Sequence, residues 1–337
     1  MATATTPANT PILDLAAAEA MPEEVSQLKV ITRRFLRHRL AVVSMIVLAA
    51  IFLLAAFAPA FAPFDPAEIE VGNKFAAPGA LSLDGTRVHY LGSDVIGRDY
   101  WSRIVYAARI TLTVAIVSQL SSSLLGIFIG AVSGYVGGAL DAVLMRFVEF
   151  LLTLPTLPLL LIISSLLIQN QDAIPIPPVV TTFVGWLLLI QPRDAIQVVL
   201  LISIFVAFGW LGDSRLMRGV VLSLKEQTFT EASRALGASD MRIILTHMIP
   251  NALAPMIVSA SLGLSGFIIG EAILSFLGLG IQDPTPTWGN MLAAAQSYMF
   301  QFPWLPLISG TPIFLCSLCF NFIGDGLRDA LDPRLKL

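Results

Sequence analysis

The chain has 337 residues, 56% of them hydrophobic and 13% charged, with a mean hydropathy of +0.80. A soluble domain carries about 25% charged residues, so this composition excludes an ordinary water-soluble globule and describes an integral membrane protein with several spans. The formal net charge of −3 gives no reason to expect nucleic acid as a partner, and the length accommodates about five to seven helices of the roughly 20 apolar residues that a bilayer demands.

Residues 1–28 are rich in Ala, Thr and Pro and hold Asp14, Glu19, Glu23 and Glu24 without any Lys or Arg, which predicts a poorly ordered tail. The run LAVVSMIVLAAIFLLAAFAPAFA at 40–62 follows the basic RRFLRHR and ends in the A-x-A-like Ala60-Phe61-Ala62. It exceeds the roughly 7 to 15 apolar residues of a cleaved signal and is read as a retained first span. Pro63 and Pro66 end it, and the polar, Gly- and Pro-punctuated stretch 63–109 lies outside the bilayer core.

The second span, 110–134, reads ITLTVAIVSQLSSSLLGIFIGAVSG, with serines and glycines that let helices approach closely. A third runs from about 147 to 168, with a kink expected at Pro155 and Pro158. The stretch VVTTFVGWLLLI at 179–190 is apolar but too short to cross, which predicts an interfacial or re-entrant element. Further spans follow at 195–211, 252–280 and 304–324. Cys316 and Cys319, one helical turn apart in the last span with no cation beside them, read as buried thiols rather than a redox pair.

Charge placement orients these spans. Fourteen of the 20 Lys and Arg fall in the N-terminal tail, 135–146, 212–250 and the C-terminal tail, and six fall in the alternate connections, so the first set is cytoplasmic. The fold class is therefore all-α integral membrane, with six transmembrane helices and both termini in the cytoplasm. In chain order this is a cytoplasmic tail at 1–39, a first helix at 40–62 and an extracytoplasmic loop at 63–109. A core of five helices follows at 110–326, then a cytoplasmic tail at 327–337.

Within the cytoplasmic region 212–250, the good helix formers from Lys225 to Leu236 predict a helix, and Gly237 stands where a left-handed C-terminal cap belongs. Ser239 is placed to cap a second helix, Asp240 to Ile249, which Pro250 is expected to stop. The small residues Ala232, Ser233 and Ala235 leave room for another surface.

The pattern Glu231-Ala232-Ser233, Gly237, Ile249-Pro250 resembles the E-A-A, Gly, I-x-L-P signature of permease subunits of binding-protein-dependent ABC importers. It departs from it in Ser233, His247 and Ile249. LGSDVIGRDYWSRIVYAARITL at 91–112 is similar to the segment before the second span in the second, C-type permease subunit of oligopeptide, dipeptide and nickel importers. Asp141, Met145, Arg146 and LTLPTLPLLL match its third span, with Glu149 where Asp is usual, and EAILSFLGLGIQDPTPTWGNML and FNFIGDGLRDALDPRLKL extend the likeness. Residues 169–194 look like an insertion.

The resemblance implies the type I ABC importer permease fold in a bacterial or archaeal cytoplasmic membrane. It implies a homologous second permease, two cytoplasmic ATPases and an extracytoplasmic substrate-binding protein as partners, besides membrane lipid. The 225–250 segment would couple to an ATPase through Glu231, Ala232, Ser233, Ala235, Gly237, Ile249 and Pro250. Di- or oligopeptides would be the cargo, with nickel chelates and glycosides as alternatives.

The residues themselves agree that this chain is not the ATPase. None of Lys29, Lys74, Lys225 and Lys336 follows a glycine, so no phosphate-cradling G-x-x-x-x-G-K-[ST] loop exists, and ATP and Mg are left to the partner subunits. His38, His89 and His247 have no metal-ligand spacing, and no cofactor is expected on this chain. Glu271, inside the fifth span, is a gate or subunit-interface candidate, or else a carboxylate hydrogen-bonded between helices. Ser118, Ser121 and Ser122 are candidate pathway residues, and Arg146 and Glu149, at i and i+3, form a candidate local ion pair. The rival reading is an ion-gradient-driven secondary transporter subunit, which predicts repeat symmetry and coupling carboxylates; no symmetry is visible, and Glu271 is the one acid placed deep in a span.

Overall fold

A computed structural model describes residues 27–332. Most of the tail expected to be poorly ordered, and residues 333–337, lie outside the described residues. The chain opens with α1 (Gln27–Arg37) and α2 (Arg39–Ala56), separated at His38, whose Nδ1 accepts the Ala41 amide of the new helix. A short α3 (Ala58–Phe61) leads into a loop with a 3-10 turn at Val71–Asn73. Its ribbon of β1 (Ala80–Leu81) and β2 (Val88–His89) is antiparallel, with Ala80 opposite His89. Then come α4 (Tyr100–Val136), α5 (Gly138–Thr153), α6 (Thr156–Gln169), α7 (Pro178–Leu188), α8 (Pro192–Lys225) and α9 (Thr228–Ala235). α10 (Asp240–Ile243) passes through a π turn at Ile244–Met248 into α11 (Ile249–Phe276), and α12 (Trp288–Gln296) and α13 (Trp304–Leu331) complete the described chain.

Among the described residues, five stretches are long and apolar enough to cross a bilayer, and α5 with α6 makes a sixth if that bent pair is one span. At the centre, α4 and α8 run parallel, with Gly126, Gly130 and Gly134 meeting Asp213, Ser214 and Val221 in turn. A Cβ at Gly130 would lie 2.3 Å from the Ser214 carbonyl and one at Gly126 would lie 2.8 Å from that of Trp210, so only glycine admits this approach. Both cysteines are buried and unbridged.

Several boundaries differ from the expectation. α4 starts at Tyr100, ten residues before the apolar run, because Asp99 accepts the Ser102 amide at 2.7 Å and caps a polar first turn. The third span is broken rather than kinked: α5 and α6 meet at 86°, since Leu154, preceding Pro155, is driven to an extended conformation (ψ 131). The helix expected from Lys225 begins at Thr228, because α8 continues unbroken to Lys225 and the Thr230 hydroxyl then caps the Leu224 carbonyl at 2.9 Å. Pro250 does not stop its helix. The π turn, closed from the Ile249 amide to the Ile244 carbonyl, shifts the hydrogen-bond register just before Pro250, and Asp240–Phe276 runs as one span. α13 carries helix through Leu331, past the point where a tail was expected to begin.

α7 has 11 residues, about 16 Å of helix, too little to cross a bilayer. It buries Leu188 against its neighbours and leaves Phe183 and Trp186 exposed.

Candidate functional site

The outward surface nearest the polar segment is α9. Its last turn ends in a Schellman motif, in which the Gly237 amide donates to the Arg234 carbonyl at 2.9 Å and the Ala238 amide to the Ser233 carbonyl at 3.1 Å. Gly237 takes φ +80, the left-handed geometry the motif needs. Ser239 holds the N-cap position of α10 without a side-chain capping bond. Glu231, Ala232 and Ala235 are exposed, Leu236 is 88% exposed, and Glu231 makes no ion pair or side-chain hydrogen bond among the described residues. Ser233 turns its hydroxyl back to the Phe229 carbonyl at 2.8 Å.

What fixes this short helix was not read from the sequence. The Arg234 Nε donates to the Tyr135 hydroxyl at 3.1 Å, and the Arg234 and Lys225 charges lie 5.0 and 5.8 Å from the centre of the same ring. Tyr135 is the buried end of α4, so α9 is tied to the central helix. Phe229 meets the ring of His247 in the π turn at 6.1 Å, and Ile243, Ile244 and Met248 bury against Tyr135, Met217 and Val221. Ile249 packs beside this cluster, and Pro250 stands in the first turn of α11, so these two belong to the wall behind α9.

The interior of the bundle is polar along α4. Ser118 and Ser122 are fully buried and their hydroxyls have no hydrogen-bond partner among the described residues, while Ser121 is half-buried. Ser122 lies under Gly209, where a Cβ would come within 2.5 Å of its oxygen. Beside them, a cavity of about 250 Å³ is walled by Gly209, Gly263, Gly266 and Gly270 with Phe205 and Phe267. Glu271 is fully buried between helices, accepting from Thr111 at 3.1 Å and Ser275 at 2.7 Å.

Glu271 is not the one acid inside the bundle. Asp213 is buried too, accepting from Ser123 at 2.6 Å and Ser259 at 2.7 Å, with Gln119 donating onward to Ser123. The sequence reading ended the fourth span at 211 and so assigned Asp213 to a connection. α8 carries it about 18 Å, 12 residues, from its Lys225 end. Arg146 and Glu149 approach to 3.5 Å with both side chains exposed, while Arg218 holds Asp141 through two bonds of 2.5 and 2.6 Å.

At the opposite end, the 91–112 and 271–292 segments meet. Arg98 bonds Asp94 at 2.6 Å and Asp283 at 3.2 Å, and the buried Arg103 bonds Asp283 at 2.8 Å. Burial works to raise the Asp283 carboxyl, but the two guanidinium groups outweigh it and hold it below the ordinary carboxylate value. His89 sits between Asp99 at 2.9 Å and Glu70 at 3.2 Å, stacked on Phe64.

Comparison with known proteins matches residues 126–337 to the family "Binding-protein-dependent transport system inner membrane component" and residues 26–78 to the "N-terminal TM domain of oligopeptide transport permease C". The oligopeptide transport system permease protein OppC of Haemophilus influenzae is 39% identical over 90% of this chain and 87% of its own length. The dipeptide transport system permease protein DppC of Alkalihalophilus pseudofirmus is 35% identical over 89% of this chain and 88% of its own. OppC of Bacillus subtilis is 31% identical over 90% and 88%.

Proposed function

Because the chain belongs to the family of binding-protein-dependent transport system inner membrane components, we propose that it is the C-type permease subunit of an importer of di- or oligopeptides. It is a multi-pass inner-membrane subunit without catalysis of its own, and ATP hydrolysis belongs to its ATPase partners. The observation that carries the coupling role is α9, a tied helix that shows Glu231, Ala232, Ala235 and Leu236, which none of the described residues covers. A cleft in a cytoplasmic ATPase would receive it. α5 and α6 would together make the third of six spans, with both termini cytoplasmic, a homologous permease completing the pathway, and a binding protein delivering peptide to the opposite face. A secondary transporter is the weaker reading, since Glu271 and Asp213 are both satisfied by hydroxyl groups, those of Thr111 and Ser275 for the first and of Ser123 and Ser259 for the second.

Two measurements on the assembled complex test this. In a background lacking Cys316 and Cys319, single cysteines at Val71 and Phe300 should react with an impermeant thiol reagent from outside, and one at Ser239 should not. Reconstituted vesicles holding both permeases, the ATPases and the binding protein should accumulate peptide with ATP. Uptake driven by an imposed proton gradient and abolished by Glu271→Gln would favour the rival instead.

A further inference from the structure

Along α8, Phe205, Gly209, Gly212, Leu216 and Gly219 recur every three or four residues and so share one face, with Arg215 at its margin. The upper part lines the glycine-walled cavity. The lower part, from Gly212, lines a second cavity of about 600 Å³ whose far wall is Met145, Glu149 and Leu152 of α5. A Cβ at Gly212 or Gly219 would meet nothing within 4 Å, so the lower part of this face is open among the described residues.

The charges of the second cavity do not cancel. Asp141 occupies Arg218 through two bonds, and Glu149 faces Arg146 at 3.5 Å. Arg215 is exposed and has no carboxylate within 4.0 Å among the described residues. It stands 10 residues, about 15 Å, before the end of α8. A permanently charged guanidinium without a carboxylate of its own therefore opens onto this cavity. The planar fork of arginine suits a carboxylate, and the cavity lies within the roughly 300–1,000 Å³ usual for small ligands.

We propose that Arg215 and this cavity form a subsite in the pathway for the terminal carboxylate of the peptide in transit. This rests on the peptide-importer reading. A free peptide brings the anion that an otherwise neutralised cavity lacks, and the apolar cavity lies farther along the same helix.

The test uses the complete importer in vesicles and ATP-driven uptake of Ala-Ala-Ala and of its C-terminal amide. Comparing the acid-to-amide uptake ratio of Arg215→Gln with that of the wild type cancels any selection by the binding protein. A lost charge-assisted contact should lower this ratio about tenfold, with Arg215→Lys in between. An unchanged ratio overturns the proposal. Equal loss for both peptides with poorer recovery of the second permease would make Arg215 a subunit contact instead. A loss that tracks the anionic-lipid content of the vesicles would assign the arginine to lipid phosphate. If the wild type takes up neither peptide with ATP, the importer reading itself fails and the subsite with it; uptake of both with an unaltered ratio overturns the subsite alone.

Discussion

The two ends of the bundle treat their polar groups in opposite ways. Around residues 64–104 and 281–290, charge is matched inside the chain: Arg98 and Arg103 converge on Asp283, and His89 is enclosed by Asp99 and Glu70. α9 leaves Glu231 without a side-chain partner among the described residues and Leu236 almost wholly exposed, although Arg234 and Tyr135 hold the helix itself in place. The first end is a finished structure. The second presents unpaired groups on a rigid support, which is what a docking surface requires.

Two glycines sharpen this contrast, since both need a left-handed backbone. Gly97 has φ +95 and is caged, with a Cβ predicted to land 2.0 Å from the Glu70 carbonyl oxygen. Gly97→Val should therefore cost about 3–5 kcal/mol from strain and overpacking together, and permease abundance in the membrane should collapse. Gly237 has φ +80 and open space around it. Gly237→Val should cost roughly 1–2 kcal/mol, local to the Schellman turn, so that the protein still inserts and pairs. Co-purification of the ATPases from solubilised membranes should then fall roughly five- to thirtyfold, the equivalent of that energy. Equal losses of abundance in the two variants would erase the distinction between a finished and a waiting end. The smallest effect belongs to Glu231→Ala, which removes one exposed charge. Abundance should be unchanged and ATPase recovery should drop about two- to fivefold, consistent with roughly 0.5–1 kcal/mol at a surface contact. No change in recovery would place Glu231 outside the interface.

Much of the site was legible in residue chemistry. A helix ending in glycine and lined with small residues is a local pattern, and the positive φ at Gly237 follows from the same local sterics. What holds that helix was not legible, because Tyr135 and Arg234 are 99 residues apart and neither is unusual in its own surroundings. Asp213 escaped for a related reason: the polar run GDSRLMRG looks like the end of a span until Ser123 and Ser259, from two other helices, are seen to satisfy it. Pro250 misled in the other direction, since its rule assumes an α-helical register that the π turn alters.

The sequence by itself therefore determined the membrane class, the approximate positions of the spans, the shortness of α7 and the short helix that ends at Gly237, because hydropathy, helix capping and proline sterics act within a few residues. Tertiary structure decided the burial of Asp213 and the closure of Asp283 by Arg98 and Arg103. Each of these depends on groups far apart in the chain, whose desolvation is tolerated only when the fold brings their hydrogen-bond partners into reach.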